Sequence, residues 1–405
     1  MAKSIRLFLD GTAYDQWTSG EVTRDLKDFS GSFSFTFRDG EASEATFPFA
    51  SMPKLPRLHA QMQAKIMIGK RTVLLGHVEE VAYDVSDGNA SVTISGRDKT
   101  GDLIDCSALA EGPAELKGVK LEAAASKIAE PFGLKVRTEV DTGETFDRYS
   151  IDLGETAFSA IEKGSRQRSV LILSDGVGNI VITRTGKTRA PDGIRLPGNV
   201  IGVRATESTA NRFSKTVVRG QSERSGKARS AAALDATAEP VGADGRNDGD
   251  GSARERERKG TVATGRADDD EITRYRPVVH LARSKAGAVS AQDEADWRNR
   301  TSRAEGNEQT YTVKGHEVNG ELWTVNQQVA VLDAFLGIDR DLLISAVRYA
   351  EADEMTTDIS VCSAEAFDKE PVGKRRTDKA GINQTGKAKA AKKSSGPLDG
   401  TAEAL

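Results

Sequence analysis

Metal-ligand spacing, paired cysteines and long apolar runs are all missing from this sequence of 405 residues. Its four histidines, His59, His77, His280 and His316, form no HExxH pattern, and no CxxC occurs. No zinc site is therefore expected. A GxSxG elbow, a phosphate-cradling Walker loop and a GxGxxG turn are also absent, which removes the usual marks of serine hydrolases and nucleotide binders. Gly176, Gly178 and Asn179 read as a hairpin turn. The two cysteines, Cys106 and Cys362, are too few and too far apart for a disulfide framework. Both read as buried thiols of a protein made in a reducing cytoplasm. No apolar run approaches the ~20 residues needed to span a bilayer. MAKSIRLFLDG carries no leader-like hydrophobic stretch. Neither membrane insertion nor secretion is expected.

Aromatics make up 5% of the chain and hydrophobic residues 37%, beside 39 glycines. That balance favours many turns over large aromatic cores, and part of the chain outside any core. The net charge of −4, with 29% charged residues, lacks the basic excess of a dedicated nucleic-acid binder. The length exceeds one ordinary core, so two to four domains are expected.

Residues 1–104 read as β. Ile5, Leu7 and Leu9 alternate with other residues before an Asp10-Gly11 turn. SFSFTFR at 32–38 sets Phe33, Phe35 and Phe37 on one face, and Gln61 to Ile68 alternates again. About six short strands predict a small barrel or sandwich. Residues 105–198 change period. Leu121, Ala125, Ile128, Ala129 and Phe132 form a helical stripe, with Gly133 where a C′ glycine belongs. Thr156 is a candidate N-cap for a helix to about Gln167, and 170–183 reads as a hairpin. This is an α+β domain. Residues 199–220 read as two strands without a core of their own. They are joined to the strands of 308–367 as a second β region.

Between them, residues 221–275 hold almost no large apolar side chains. They carry the mixed run RERERK at 254–259 and the acidic run Asp268, Asp269, Asp270 and Glu271. They read as a flexible charged loop, whose carboxylates are unsuited to acid–base work because nothing shields them. An extended segment and a helix follow over 276–307, with Ala295 and Trp297 on the inner face. Residues 368–405 read as a disordered basic tail, more simply a solvated one than a DNA contact. Its lysines and arginines include Lys374, Arg375 and Arg376.

The most informative stretch is Thr93 to Ser107, TISGRDKTGDLIDCS. A strand breaks at Gly96 into Arg97, Asp98, Lys99, Gly101 and Asp102, and ends near Asp105. One fork-shaped cation among several carboxylates predicts a bidentate lock at the strand exit. Arg97 and Asp98 are expected to hold that exit and to orient the α+β domain. The plainer alternative is a solvated, salt-bridged turn.

This stretch resembles the S-G-R-D-x-T-x-D-L-I-D run of the baseplate hub proteins of Mu-like contractile-tailed phages, in the wider late-control protein D family. Three other segments are similar to that family in the same order. They are GETAFSAIEKGSRQRSVLILSDGVGNIVITR at 154–184, RYRPVVH at 274–280, and ELWTVNQQVAVLDAFLGIDRDLL at 321–343, which carries the W-x-x-N pair Trp323 and Asn326. The charged loop departs from the pattern.

The resemblance implies a mainly β fold with an α+β insert: two tail-tube-like β-barrels and a middle α+β domain. It implies a structural part of the virion, assembled in the host cytoplasm, without cofactor. A homotrimeric ring would join the six-fold tail tube, or a distal tube protein, to a trimeric central spike, beside other baseplate proteins. DNA would pass through its lumen without specific binding. The structural-motif residues carried over are Arg97, Asp98, Gly101, Asp102, Asp105, Trp323 and Asn326. Two alternatives stand beside this. One is a tail-associated peptidoglycan hydrolase, which would need a carboxylate pair in a cleft. The other is a nucleic-acid-binding tail protein.

Overall fold

A computed structural model describes residues 3–39, 55–86, 89–108, 114–222, 261–281 and 291–367. The run at 254–259 and the basic tail lie outside them. The first β region holds β1 (Ile5–Leu9), β2 (Thr12–Tyr14), β3 (Ser19–Asp25), β4 (Ser32–Arg38), β5 (Gln63–Ile68), β6 (Arg71–Ser86) and β7 (Asn89–Asp98). Alternation fixes the inward face. Phe33, Phe35 and Phe37 of β4 are buried while the residues between them are not. Asp10 and Gly11 both take positive φ in the turn from β1 to β2, the geometry of a tight hairpin.

The insert follows. It contains α1 (Gly101–Asp105), β8 (Glu115–Val119), α2 (Leu121–Ala129), β9 (Lys135–Thr138), β10 (Phe146–Ser150), α3 (Ala157–Arg168), β11 (Leu171–Ser174) and β12 (Asn179–Thr183). The Thr156 hydroxyl accepts the Ser159 amide at 3.3 Å and starts α3. Gly133, at φ +67°, ends the helical turn after α2. The apolar stripe of α2 packs with α3 and the β9–β12–β11 sheet around Leu121, Ile128, Ile161 and Ile180.

The remaining elements are β13 (Thr188–Arg189), β14 (Ile194–Leu196), β15 (Val200–Glu207), β16 (Lys215–Ser222), β17 (Thr261–Asp268), β18 (Pro277–Leu281), α4 (Ala291–Glu305), β19 (Asn307–Lys314), β20 (Glu317–Val318), β21 (Glu321–Leu322), β22 (Gln327–Asp333), β23 (Ile338–Glu351) and β24 (Met355–Cys362). The protein is mainly β with an α+β insert. The two β regions do not stand as separate sheets. β23 pairs β3 from Ala346↔Asp25 to Glu351↔Gly20. One sheet then runs β15-β19-β24-β23-β3-β4-β7-β6-β5-β1-β2. One apolar cluster fills both regions, from Ile5 and Trp17 to Ile359 and Val361.

Four expectations are corrected. β13 and β14, read as part of the insert, pair with β22 in the fused sheet. β16, read as a strand of the second β region, joins β17 and β18 in a small sheet of its own. β17 lies within the stretch read as a flexible loop. It needs no bulky side chains, because the backbone ladder to β16 holds it and α4 lies directly on it. A Cβ at Gly265 would collide with the Ala291 carbonyl. Asp269, read as unshielded, is buried against the Arg212 guanidinium at 2.9 Å. Periodicity fixes which face a strand buries, but not which strand lies beside it.

Candidate functional site

Asp98 sits at the end of β7, almost wholly buried. Its Oδ1 accepts from the Ser30 hydroxyl at 3.0 Å, the Thr100 amide at 2.8 Å and the Thr100 hydroxyl at 2.5 Å. Its Oδ2 accepts from the Gly31 amide at 2.9 Å and the Ser174 hydroxyl at 2.8 Å. One carboxylate thus ties β7, the turn before β4 and the insert's β11 together. Neighbouring contacts extend the joint. The Leu75 amide donates to the Gly176 carbonyl at 2.7 Å, and Arg24 donates to the Ser174 carbonyl.

Arg97 points the other way. Its Nε donates to Glu79 at 2.8 Å and its Nη2 to Asp105. The hydrogen bond from Arg97 holds the exposed Asp105 carboxyl below the usual carboxylate range. Arg97 and Asp98 therefore do not pair with each other. Gly101 lets α1 pack under the Arg97 stem, since a Cβ there would lie 3.2 Å from Arg97 Cβ. The Asp102 side chain is exposed, while its carbonyl accepts the Cys106 amide at 2.9 Å. Cys106 is exposed and only Cys362 is buried, so the reading of two buried thiols holds for one.

Asn326, at φ +64°, makes a matching joint at the other end of the insert. Its side chain accepts the Gly186 amide at 2.9 Å and donates to the Arg184 carbonyl at 3.0 Å. Trp323 is buried, and its carbonyl accepts the Tyr349 hydroxyl. The residues singled out in the sequence thus fall into two clusters, one at each end of the insert. Ser174 and Ser30 were missed. Small hydroxyl residues in turns carry no pattern that marks them.

The outward face of the fused sheet is the second feature. Across β19, β24, β23, β3, β4 and β7, strand register puts mostly Ser, Thr and Ala together with ten charged residues on that face. The charges are Glu21, Asp25, Glu308, Asp339, Asp341, Asp358, Arg38, Arg97, Lys314 and Arg348, six acidic and four basic. Several are tied in place. Arg348 bridges Glu21 and Asp358, each at 3.0 Å from one of its nitrogens. Thr312 donates to Asp358 at 2.7 Å. Thr310 and Ser360 share a hydrogen bond at 2.8 Å, as do Thr36 and Thr93 at 3.0 Å. Because β23 pairs β3, this low, hydroxyl-rich face crosses from one β region to the other without a break. Among the described residues no cluster of His, Cys, Asp and Glu could hold a metal ion, and no helix is long and apolar enough to cross a membrane.

Three family profiles match in succession. Residues 4–98 match the Mu phage baseplate assembly protein GpP-like N-terminal domain. Residues 100–184 match the second domain of gp44-like baseplate hub proteins. Residues 287–370 match the fourth domain of Mu phage GpP. The baseplate hub protein gp44 of Escherichia phage Mu is 28% identical over 95% of this chain and 94% of its own length. The 43 kDa tail protein of prophage MuSo2 from Shewanella oneidensis is 28% identical, with a TM-score of 0.73 over 92% of this chain and 100% of that one. A tail protein of Neisseria meningitidis shares the fold at 20% identity, with a TM-score of 0.67 over 91% and 99% of the two chains.

Proposed function

The chain belongs to the baseplate hub proteins of Mu-like phages, and we propose that three copies close into a ring whose passage is lined by the outward face of the fused sheet. Its role is structural, in the virion tail, and not enzymatic, as in the relatives named for that role. Three chains with two β regions each would present six similar units to a six-fold tube above and three-fold symmetry to a spike below. Other baseplate proteins would surround it.

The face described above is the observation that carries this reading. A duplex is a dense line of phosphates, and proteins that hold it do so mainly through unpaired Lys and Arg that displace counterions. Here acidic residues outnumber basic ones, and the salt bridges and hydroxyl ladders leave few free cations. Such a wall suits passage without retention. β2 and β15 end the sheet, and open β-edges favour pairing with another chain. Ring closure would use a head-to-tail interface of this kind.

Light scattering at micromolar concentration, together with images of the purified particle, tests the ring. A three-fold ring with a central opening is expected, and a stable monomer would count against it. Duplex DNA should be retained only slightly at physiological salt. Tight, salt-sensitive binding would favour a nucleic-acid-binding role for this face.

A further inference from the structure

The β22–β23 hairpin ends in a rigid apolar knob. Asp333 is buried, and its Oδ1 accepts the Phe335 amide at 2.8 Å and the Leu336 amide at 2.9 Å. Its Oδ2 accepts the Tyr311 hydroxyl at 2.9 Å. The Ala334 amide donates to the Leu196 carbonyl at 2.9 Å, and Gly337 turns at φ +68°. A turn held this firmly presents Phe335 outward, 79% exposed, beside Leu332 at 51%. Asp339 lies directly opposite Leu332 in the ladder. The neighbouring Arg195 is held by Asp192 at 2.6 Å, and Arg340 lies opposite Val331 on the other face of the ladder, so on the Leu332 face Asp339 is the charge without an ion pair among the described residues.

The first β region holds a matching hollow. It is a cavity of about 430 Å³ lined by Phe8, Gln63, Ala64, Lys65, Leu75 and Lys99, with Gly11 and Gly76 adding no side chain. Phe8, Lys65 and Leu75 form one row across β1, β5 and β6. The Leu75 wall is fixed at both backbone groups, to Gly176 and to Lys99. Lys65 and Lys99 appear in no ion pair among the described residues. The cavity thus sets Phe8, Ala64 and Leu75 beside two lysines and Gln63, while the knob is apolar with Asp339 beside it.

We propose that the Phe335 knob of one copy seats in the Phe8–Leu75 hollow of a second copy, with Asp339 meeting Lys65 and Lys99. The inference rests on the ring reading and names the contact that would close it. A preorganised aromatic anchor in a desolvated pocket is the usual energetic centre of an interface. The same chain carries both halves, the knob in the second β region and the hollow in the first. That arrangement makes a head-to-tail contact, which closes into a ring when its rotation allows.

Three variants test it by sedimentation and cross-linking. Phe335→Ala should weaken assembly by about thirtyfold while leaving the melting of the dilute chain unchanged. Asp339→Lys should impair assembly, and adding Lys65→Glu with Lys99→Glu should restore it. In a Cys106→Ser background, Ala334→Cys with Gln63→Cys should give an oxidised ladder ending at the trimer, which neither single cysteine gives. A wild-type ring with no such ladder and with undiminished assembly of Phe335→Ala would overturn this contact alone. A wild-type chain that stays monomeric at every concentration would overturn the ring and the contact together.

Discussion

The Ser174 hydroxyl donates to Asp98 Oδ2 at 2.8 Å across 76 residues of chain, and this bond joins the insert to the first β region. The same carboxylate holds Ser30, Gly31 and Thr100. It is the most fully satisfied polar group at the joint. The insert's position therefore rests on a buried acceptor more than on the half-buried Arg97 beside it.

Asp98→Ala should cost about 3 kcal/mol, because it strands several buried donors at once. Thermal unfolding would measure this. Ser174→Ala removes one donor and should cost about 1 kcal/mol. Equal melting of Asp98→Ala and wild type would show that water replaces the carboxylate at no loss.

Arg97→Ala should change stability by about 1 kcal/mol or less, since its pairs with Glu79 and Asp105 are partly solvated. Arg97→Lys should recover little of that, because it lacks the fork. The Asp105 carboxyl is held below its ordinary value, so its contribution is present above about pH 4 and lost as pH falls through the lowered value. In denaturation the two variants should fall further below wild type at pH 7 than at pH 3, and an equal gap at both would count against the Asp105 contribution.

His316 is buried, with its Nδ1 3.2 Å from the Thr357 hydroxyl and its Nε2 3.9 Å from Glu351. Burial lowers its pKa, and the nearby Glu351 only partly opposes this. The unfolded chain takes up a proton near pH 6.5 and the folded chain only at lower pH. Stability should therefore decline as pH drops below about 6.5. His316→Gln should flatten that decline in melting temperature against pH, and an unchanged slope would point to another group.

Cys106 is exposed, whereas burial pushes the Cys362 thiol up to about 12. A thiol-exchange reagent at pH 8 should label one cysteine per native chain and two in denaturant. Rapid labelling of both in the native protein would mean that the C-terminal end of β24, which carries Cys362, opens readily.

Local rules in the sequence determined the elements themselves. Alternation marked β4 and its three buried phenylalanines, Thr156 marked the start of α3, and Gly133 marked the end of the turn after α2. Each depends only on neighbours within a few residues. Tertiary structure alone decided the partners. A period of two cannot say that β23 lies beside β3, that β16 leaves for β17 and β18, or that β14 joins β22. Nor can a run of carboxylates show that Asp269 has an arginine 57 residues away. Of the residues singled out in the sequence, Asp98 and Asn326 join the insert to the two β regions, but their partners Ser174 and Gly186 carry no local mark. Register and buried polar pairing depend on long-range packing, and that information exists only once the chain has closed on itself.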